Sequence, residues 1–195
     1  MNKKILLIII GFVALASSCS KNYLNTKPTT KVATSAVFET TEKIALAING
    51  INSLIVSGYH LGDQSLPGES GIKILYANYP GNHYMVDLSG WSTVINGLRR
   101  ESSTDYYGTY PWYYYYSIVS NANIILENVD KAIGTDAEKQ FYKAQALIVR
   151  DYAFFMLSQF YSYRWNESNN GASKGIVLRI DTSTGDMPLS TLAQT

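Results

Sequence analysis

Apolar residues recur at helical spacing through much of the chain. Ile44, Ile48, Ile51 and Ile55 are separated by four, three and four positions, which places them on one helical stripe. The pattern predicts a first helix over 35–57. Thr40 or Thr41 with Glu42 supplies an N-cap and a first-turn acid, and Gly58 a stop. Tyr115, Ile118, Ala122, Ile125 and Val129 repeat in the same way and predict a second helix over 111–133, with Pro111 in its first turn. Gly134 ends it. Thr135-Asp136-Ala137-Glu138 then reads as a capping box that opens a third helix, running to about residue 163. Phe141, Ala144, Ile148, Tyr152 and Phe155 line one face of that helix. Its last turns, from Tyr152 to Tyr161, are apolar nearly all round, as in a helix packed on several sides. A link as short as Gly134 makes 111–163 an antiparallel helical hairpin.

The remaining segments are less periodic. Residues 58–109 are rich in Gly, Ser, Asn and Tyr, with a short helix expected at 72–78. A connection of that length is usually either functional or weakly ordered. Residues 166–171 form a polar turn, and 175–179 suit a short extended piece. Pro188-Leu189-Ser190-Thr191-Leu192 reads as the start of another helix with Ser190 as N-cap, yet the sequence closes at Thr195. A helix that has only begun is not stable, so the expectation is a truncated or fragmentary product, incomplete at the carboxyl end.

The amino terminus carries processing signals. Lys3 and Lys4 precede an apolar run over 5–16, the length of a signal-peptide core and too short to span a bilayer. Leu15-Ala16-Ser17-Ser18-Cys19 then sets small residues ahead of a cysteine, as in a lipoprotein signal, where cleavage leaves the cysteine to take lipid. Ala16 stands where such signals usually carry Leu. The alternative is an ordinary secretory signal with a leftover thiol. The reading divides the chain into a signal peptide (1–18), a polar, Pro-containing tether after Cys19 (19–34) and a folded part (35–195).

Composition removes several function classes. A net charge of +1 lacks the basic excess that nucleic-acid phosphates require. Cys19 is the single cysteine, so no intrachain disulfide forms. With two histidines, His60 and His83, both in polar stretches, no zinc site is expected. No cofactor motif, nucleophile motif or phosphate loop appears. Glu101 and Asp105 are spaced like solvated surface acids, so no enzyme is expected.

The 16 tyrosines are the main oddity. Most are expected in the core, but rings on a polar loop suit wet ligands such as sugars and peptides. Trp91, Tyr106, Tyr107 and Tyr110 fall in the long loop and are the candidate glycan contacts. Aromatic faces stack on the C–H faces of sugar rings, and nearby Asn or Asp bonds the hydroxyls. Arg150, Asp151 and Asn123 sit among apolar helical residues. A buried charge must be paired, so structural bonding is favoured over ligand contact for all three. Trp112 is expected in the core.

These pieces together resemble the SusD/RagB family of starch-binding-type outer-membrane lipoproteins from Bacteroidetes-like bacteria. Four stretches carry the likeness: Cys19 with Tyr23-Leu24 and Pro28; Glu42 with Asn49-Gly50-Ile51 and Leu54; Trp112, Tyr116, Ile118 and Ala122-Asn123-Ile124-Ile125; and Gln145-Ala146, Arg150, Tyr152 and Phe155 with Gly175 and Leu178 downstream. Asn52 stands where an aromatic is often found, Gln145 where Glu is usual, and Asp151 where Ala is usual. The resemblance implies an all-α fold of tetratricopeptide-like helical hairpins with long loops. It implies capture of an oligosaccharide, or in some members a peptide, for a partner TonB-dependent, SusC-like transporter. It also implies a lipid-anchored place in the outer membrane, on the cell surface. Members are much longer than this chain. Two other readings stay open: a helical-repeat adaptor that binds a protein partner, and a non-functional fragment of a broken gene.

Overall fold

The structure is a computed structural model, and it describes residues 37–57, 59–61, 64–66, 68–78 and 106–195, with the backbone alone for 59–66, 77–78 and 106–107 within these ranges. The expected signal peptide, Cys19 and the tether lie outside the described residues, as does Trp91.

Helix α1 spans Thr41–Val56. It begins later than the periodicity predicts because the Thr40 hydroxyl accepts a hydrogen bond from the Lys43 N–H at 3.3 Å and fixes the cap there. Ile44, Ile48 and Ile51 are buried as expected. A small antiparallel hairpin follows, β1 (Tyr59–Leu61) and β2 (Gln64–Leu66), paired Tyr59 with Leu66 and Leu61 with Gln64. The sequence pattern did not show it, because three-residue strands are too short to display a period. Helix α2 (Glu69–Lys73) runs on into a single wide turn over Ile74–Asn78.

Helix α3 spans Tyr106–Asn128 and closes in a 3-10 turn, Val129–Lys131. The predicted stripe of Tyr115, Ile118, Ala122, Ile125 and Val129 is fully or almost fully buried. The helix starts five residues before Pro111 rather than at it. An internal proline removes one N–H and crowds the preceding turn. The Tyr161 hydroxyl repairs that point: it donates to the Gly108 carbonyl at 2.8 Å and accepts from the Trp112 N–H at 2.9 Å. A side-chain oxygen therefore stands inside the backbone ladder, between two groups that an uninterrupted helix would pair with each other.

Helix α4 spans Asp136–Tyr161. The capping box is present: the Thr135 hydroxyl accepts from the Glu138 N–H at 3.3 Å, and the Glu138 carboxylate accepts from the Thr135 N–H at 2.8 Å. That N–H holds the Glu138 carboxyl below its usual range. The buried face is a correction to the sequence reading. Ala146, Ala153, Phe154 and Leu157 point inward, whereas Phe141, Ile148 and Phe155 are exposed, Ala144 is also exposed and Tyr152 is half-buried. The small alanines leave room for the tyrosines and isoleucines of α3, so the bulkier stripe turns away.

The antiparallel pair α3–α4 forms the body, and α1 packs across both. Thr41 N–H bonds the Ile133 carbonyl at 3.0 Å, and Ile133 N–H bonds Glu39 at 2.8 Å, which ties the α3–α4 link to the start of α1. A side chain at Gly134 would lie 2.3 Å from Thr41, so this close approach requires glycine. The chain after α4 folds back over the pair. Residues 174–176 bridge to 190–191 through Gly175 N–H to Ser190 and Ser190 N–H to Ile176, each 2.8 Å. The helix expected from Ser190 is instead one 3-10 turn, Leu192–Gln194, capped by Thr191, while the Ser190 hydroxyl is committed to the Ile176 carbonyl.

Candidate ligand-binding pole

Because α3 and α4 run antiparallel, the start of α3 and the end of α4 meet at one pole, joined through Tyr161. Aromatic rings fill the space behind it. Trp112 lies 4.6 Å from Tyr116 and 5.1 Å, edge-on, from Tyr161. Tyr115 lies 6.2 Å from Phe160, which meets Tyr76 edge-on at 5.7 Å. Trp112 is half-buried against this cluster, consistent with its expected core role.

The four sequence candidates are distributed unequally. Trp91 lies outside the described residues. Tyr106 and Tyr107 form the first turn of α3 rather than part of a loop, with their side chains outside the description. Tyr110 is in the same helix, one turn on, and is wholly buried beside Tyr114, with ring centroids 6.1 Å apart. As placed, Tyr110 presents no face to solvent. Two exposed aromatics that the sequence reading did not single out, Tyr163 (64%) and Trp165 (60%), stand at this pole just after α4. The available signal was Trp165 flanked by Arg164 and Asn166, an apolar ring in a polar stretch.

A buried carboxylate lies behind the aromatic cluster. Glu69, at the start of α2, is 6% exposed and accepts hydrogen bonds from the Tyr152 hydroxyl and, at 3.5 Å, from the Tyr115 hydroxyl. Lys73 pairs with it at 3.2 Å and sits 5.8 Å from the Tyr152 ring centroid. Through Tyr115 and Tyr152, Glu69 clamps α2 onto α3 and α4.

Four buried or half-buried tyrosines resist ionisation. Burial, then the Glu69 charge, pushes the Tyr114 and Tyr115 hydroxyls far above the usual phenol range. Burial does the same to Tyr161 and pushes Tyr116 up to about 12. In each case the folded form holds its proton to higher pH than the unfolded form does. Their contribution to stability is therefore complete below the ordinary tyrosine range near pH 10 and is lost as pH rises through the folded values. Alkaline titration followed by tyrosinate absorbance should show exposed tyrosines ionising near pH 10, and a second, cooperative step with unfolding well above it. A smooth single titration with no loss of helical circular dichroism would refute this.

Asn123 and Arg150 form a second polar centre. Asn123 is fully buried; its amide donates to the carbonyls of Arg179 at 2.8 Å and Asp181 at 2.9 Å. Its oxygen accepts from Arg150 Nη1 at 3.1 Å, and the same nitrogen reaches Ile180 O at 3.3 Å. These bonds fasten the 175–183 segment to the helical pair, the structural role favoured from sequence. Asp151 points outward, 3.9 Å from Arg150 Nε. His60 lies in β1; His83, Glu101 and Asp105 fall outside the described residues. Among the described residues there is no group of three metal-ligating side chains, and no helix is long and apolar enough to cross a membrane.

Antiparallel helices packed with a third helix define a helical-repeat scaffold. Within that class the chain belongs to the SusD-like family: the family model described as starch-binding and associating with the outer membrane matches residues 22–195. The structure is also similar to that of a SusD-like carbohydrate-binding protein from Bacteroides vulgatus ATCC 8482, with a TM-score of 0.64 and 20% sequence identity over 80% of this chain. The chain spans about a third (33%) of that protein's length. No curated protein matches the chain by sequence. The all-α, tetratricopeptide-like reading agrees with this fold, with the small hairpin as an addition.

Proposed function

We propose that this protein is an outer-membrane lipoprotein, anchored through Cys19 on the cell surface, that captures a glycan for a TonB-dependent, SusC-like transporter. The observation that carries the reading is the starch-binding family match across residues 22–195, which takes in every described helix. The aromatic pole supports it, since amphipathic rings with neighbouring polar groups suit the faces and hydroxyls of sugars. Trp91, Tyr106 and Tyr107 are the proposed contacts from the sequence. Tyr110 is kept at lower rank because of its burial. No catalytic step is assigned.

Affinity electrophoresis in soluble starch, followed by titration against a panel of oligosaccharides and peptides, tests the reading. Retardation or measurable binding is expected, with Trp91→Ala weakening it about thirtyfold, the usual scale for removing an aromatic anchor. No binding to any member of the panel would reject glycan and peptide capture together. A second reading, an adaptor for a protein partner, rests on the exposure of Phe141, Ile148 and Phe155 along α4. It predicts co-purification with a membrane protein and no response to glycans.

A further inference from the structure

At the carboxyl end of α4 lies a cleft of about 350 Å³, lined by Gln159, Ser162, Tyr163, Arg164, Trp165 and Leu192 among others. None of these residues was a sequence candidate. The size falls at the lower end of the roughly 300–1,000 Å³ typical of small-ligand sites. It suits about one or two sugar rings rather than a folded partner.

The indole of Trp165 is exposed but held in place. A Cβ at Gly171 would lie 2.8 Å from its six-membered ring, so the ring backs directly onto the Gly171 backbone. Gly171 has φ +81°, and Asn169 and Asn170 before it have φ 51° and 55°. Three consecutive left-handed residues are costly, and such backbone persists where the surroundings over-determine it. Here they do. The buried Ser168 hydroxyl donates to the Trp165 carbonyl at 2.6 Å and accepts from the Gly171 N–H at 2.8 Å. Ala193 N–H bonds Gly171 at 3.0 Å, and Leu192 N–H bonds Ser173 at 2.8 Å. The result is a preorganised aromatic wall with its outer part in solvent, which lowers the ordering cost of binding.

The polar groups that share the cleft complete the chemistry. The Ser162 hydroxyl oxygen is shielded from solvent and has no hydrogen-bond partner among the described residues. A buried hydroxyl without a partner is rare in a folded protein and marks a place where a ligand group can bond. Gln159 offers both a donor and an acceptor, and Arg164 offers donors only. Among the described residues Arg164 forms no salt bridge. It stands against the carboxyl end of α4, whose aligned carbonyls carry about half a negative charge. The helix end offsets only part of the Arg164 charge, so the cleft stays weakly cationic and its stacking face, not its field, sets the ligand class.

We infer that this cleft is a binding subsite for a pyranose unit, stacked on Trp165 and hydrogen-bonded by Ser162, Gln159 and Arg164. The inference rests on the glycan-capture reading but concerns a place that reading does not assign. Calorimetric titration of the full chain with maltoheptaose, other neutral oligosaccharides and uronic-acid oligosaccharides tests it. Trp165→Ala should bind the preferred glycan about thirtyfold more weakly, and Trp165→Phe should recover most of the loss. Gln159→Ala, on an exposed helical position, should weaken binding without affecting folding. Helical circular dichroism checks that each variant is folded. If wild type binds glycan and both Trp165→Ala and Gln159→Ala bind equally well, the subsite is overturned while the capture reading stands. If wild type binds no glycan, the capture reading fails and the subsite with it.

Discussion

A Tyr161→Phe protein is expected to be about 2–4 kcal/mol less stable than wild type, although it loses only one oxygen. That oxygen bridges the Gly108 carbonyl and the Trp112 N–H across the turn opened by Pro111. Without it, two backbone groups on the inner side of α3 lose their partner, and each orphaned group costs about 1–3 kcal/mol when water does not reach it. The ring remains and still packs edge-on against Trp112, so little apolar contact is lost. Urea denaturation reads the effect as a lower midpoint with an unchanged slope. A loss below about 0.5 kcal/mol, the range of an ordinary surface change, would show that the hydroxyl does not repair the helix. The same oxygen joins the start of α3 to the end of α4, so amide exchange of Trp112 should quicken in the variant.

Asn123→Ala is expected to cost about 3–4 kcal/mol. Three hydrogen bonds end on this one buried side chain, at about 1 kcal/mol each, and removing it also strands two carbonyls and leaves a cavity. Arg150 then keeps only its 3.3 Å bond to Ile180 O, besides a distant Asp151. Because the amide holds the 175–183 segment, protease cleavage there should rise far more than global unfolding accounts for. Asn123→Asp separates the roles. It keeps an oxygen for Arg150 but turns a carboxylate toward the carbonyls of Arg179 and Asp181, so it should also be destabilising. An Asn123→Asp protein as stable as wild type would mean that the Arg150 contact, not the two amide bonds, anchors the segment.

The helical hairpin was legible because its signals are local. Spacing of three and four marked the buried stripe of α3, and the Thr135–Glu138 box marked the start of α4 to the residue. Besides the late start of α1 and the unforeseen hairpin, the same local rules misjudged three places for reasons outside the segment. The start of α3 passed through Pro111 because a tyrosine fifty residues away in sequence satisfies the broken turn. The buried face of α4 followed the alanines because α3 brings bulky rings against it. The cap fell on Thr191 rather than Ser190 because the Ser190 backbone is paired with Gly175 and Ile176.

The candidate site divides in the same manner. An excess of tyrosine pointed to an aromatic binding surface, yet composition does not distinguish a ring in the core from a ring in solvent. Tyr110 went inward because it falls on the same buried side of α3 as Tyr114. Trp165 and Tyr163 stayed outward, since they follow the end of α4, where the chain turns away over Gly171. The sequence by itself determined the helix periods, the caps of α1 and α4, the family likeness and the structural use of Asn123. Only the tertiary structure decided which aromatic rings face a ligand, because that depends on what each helix face meets across the fold and not on spacing along the chain.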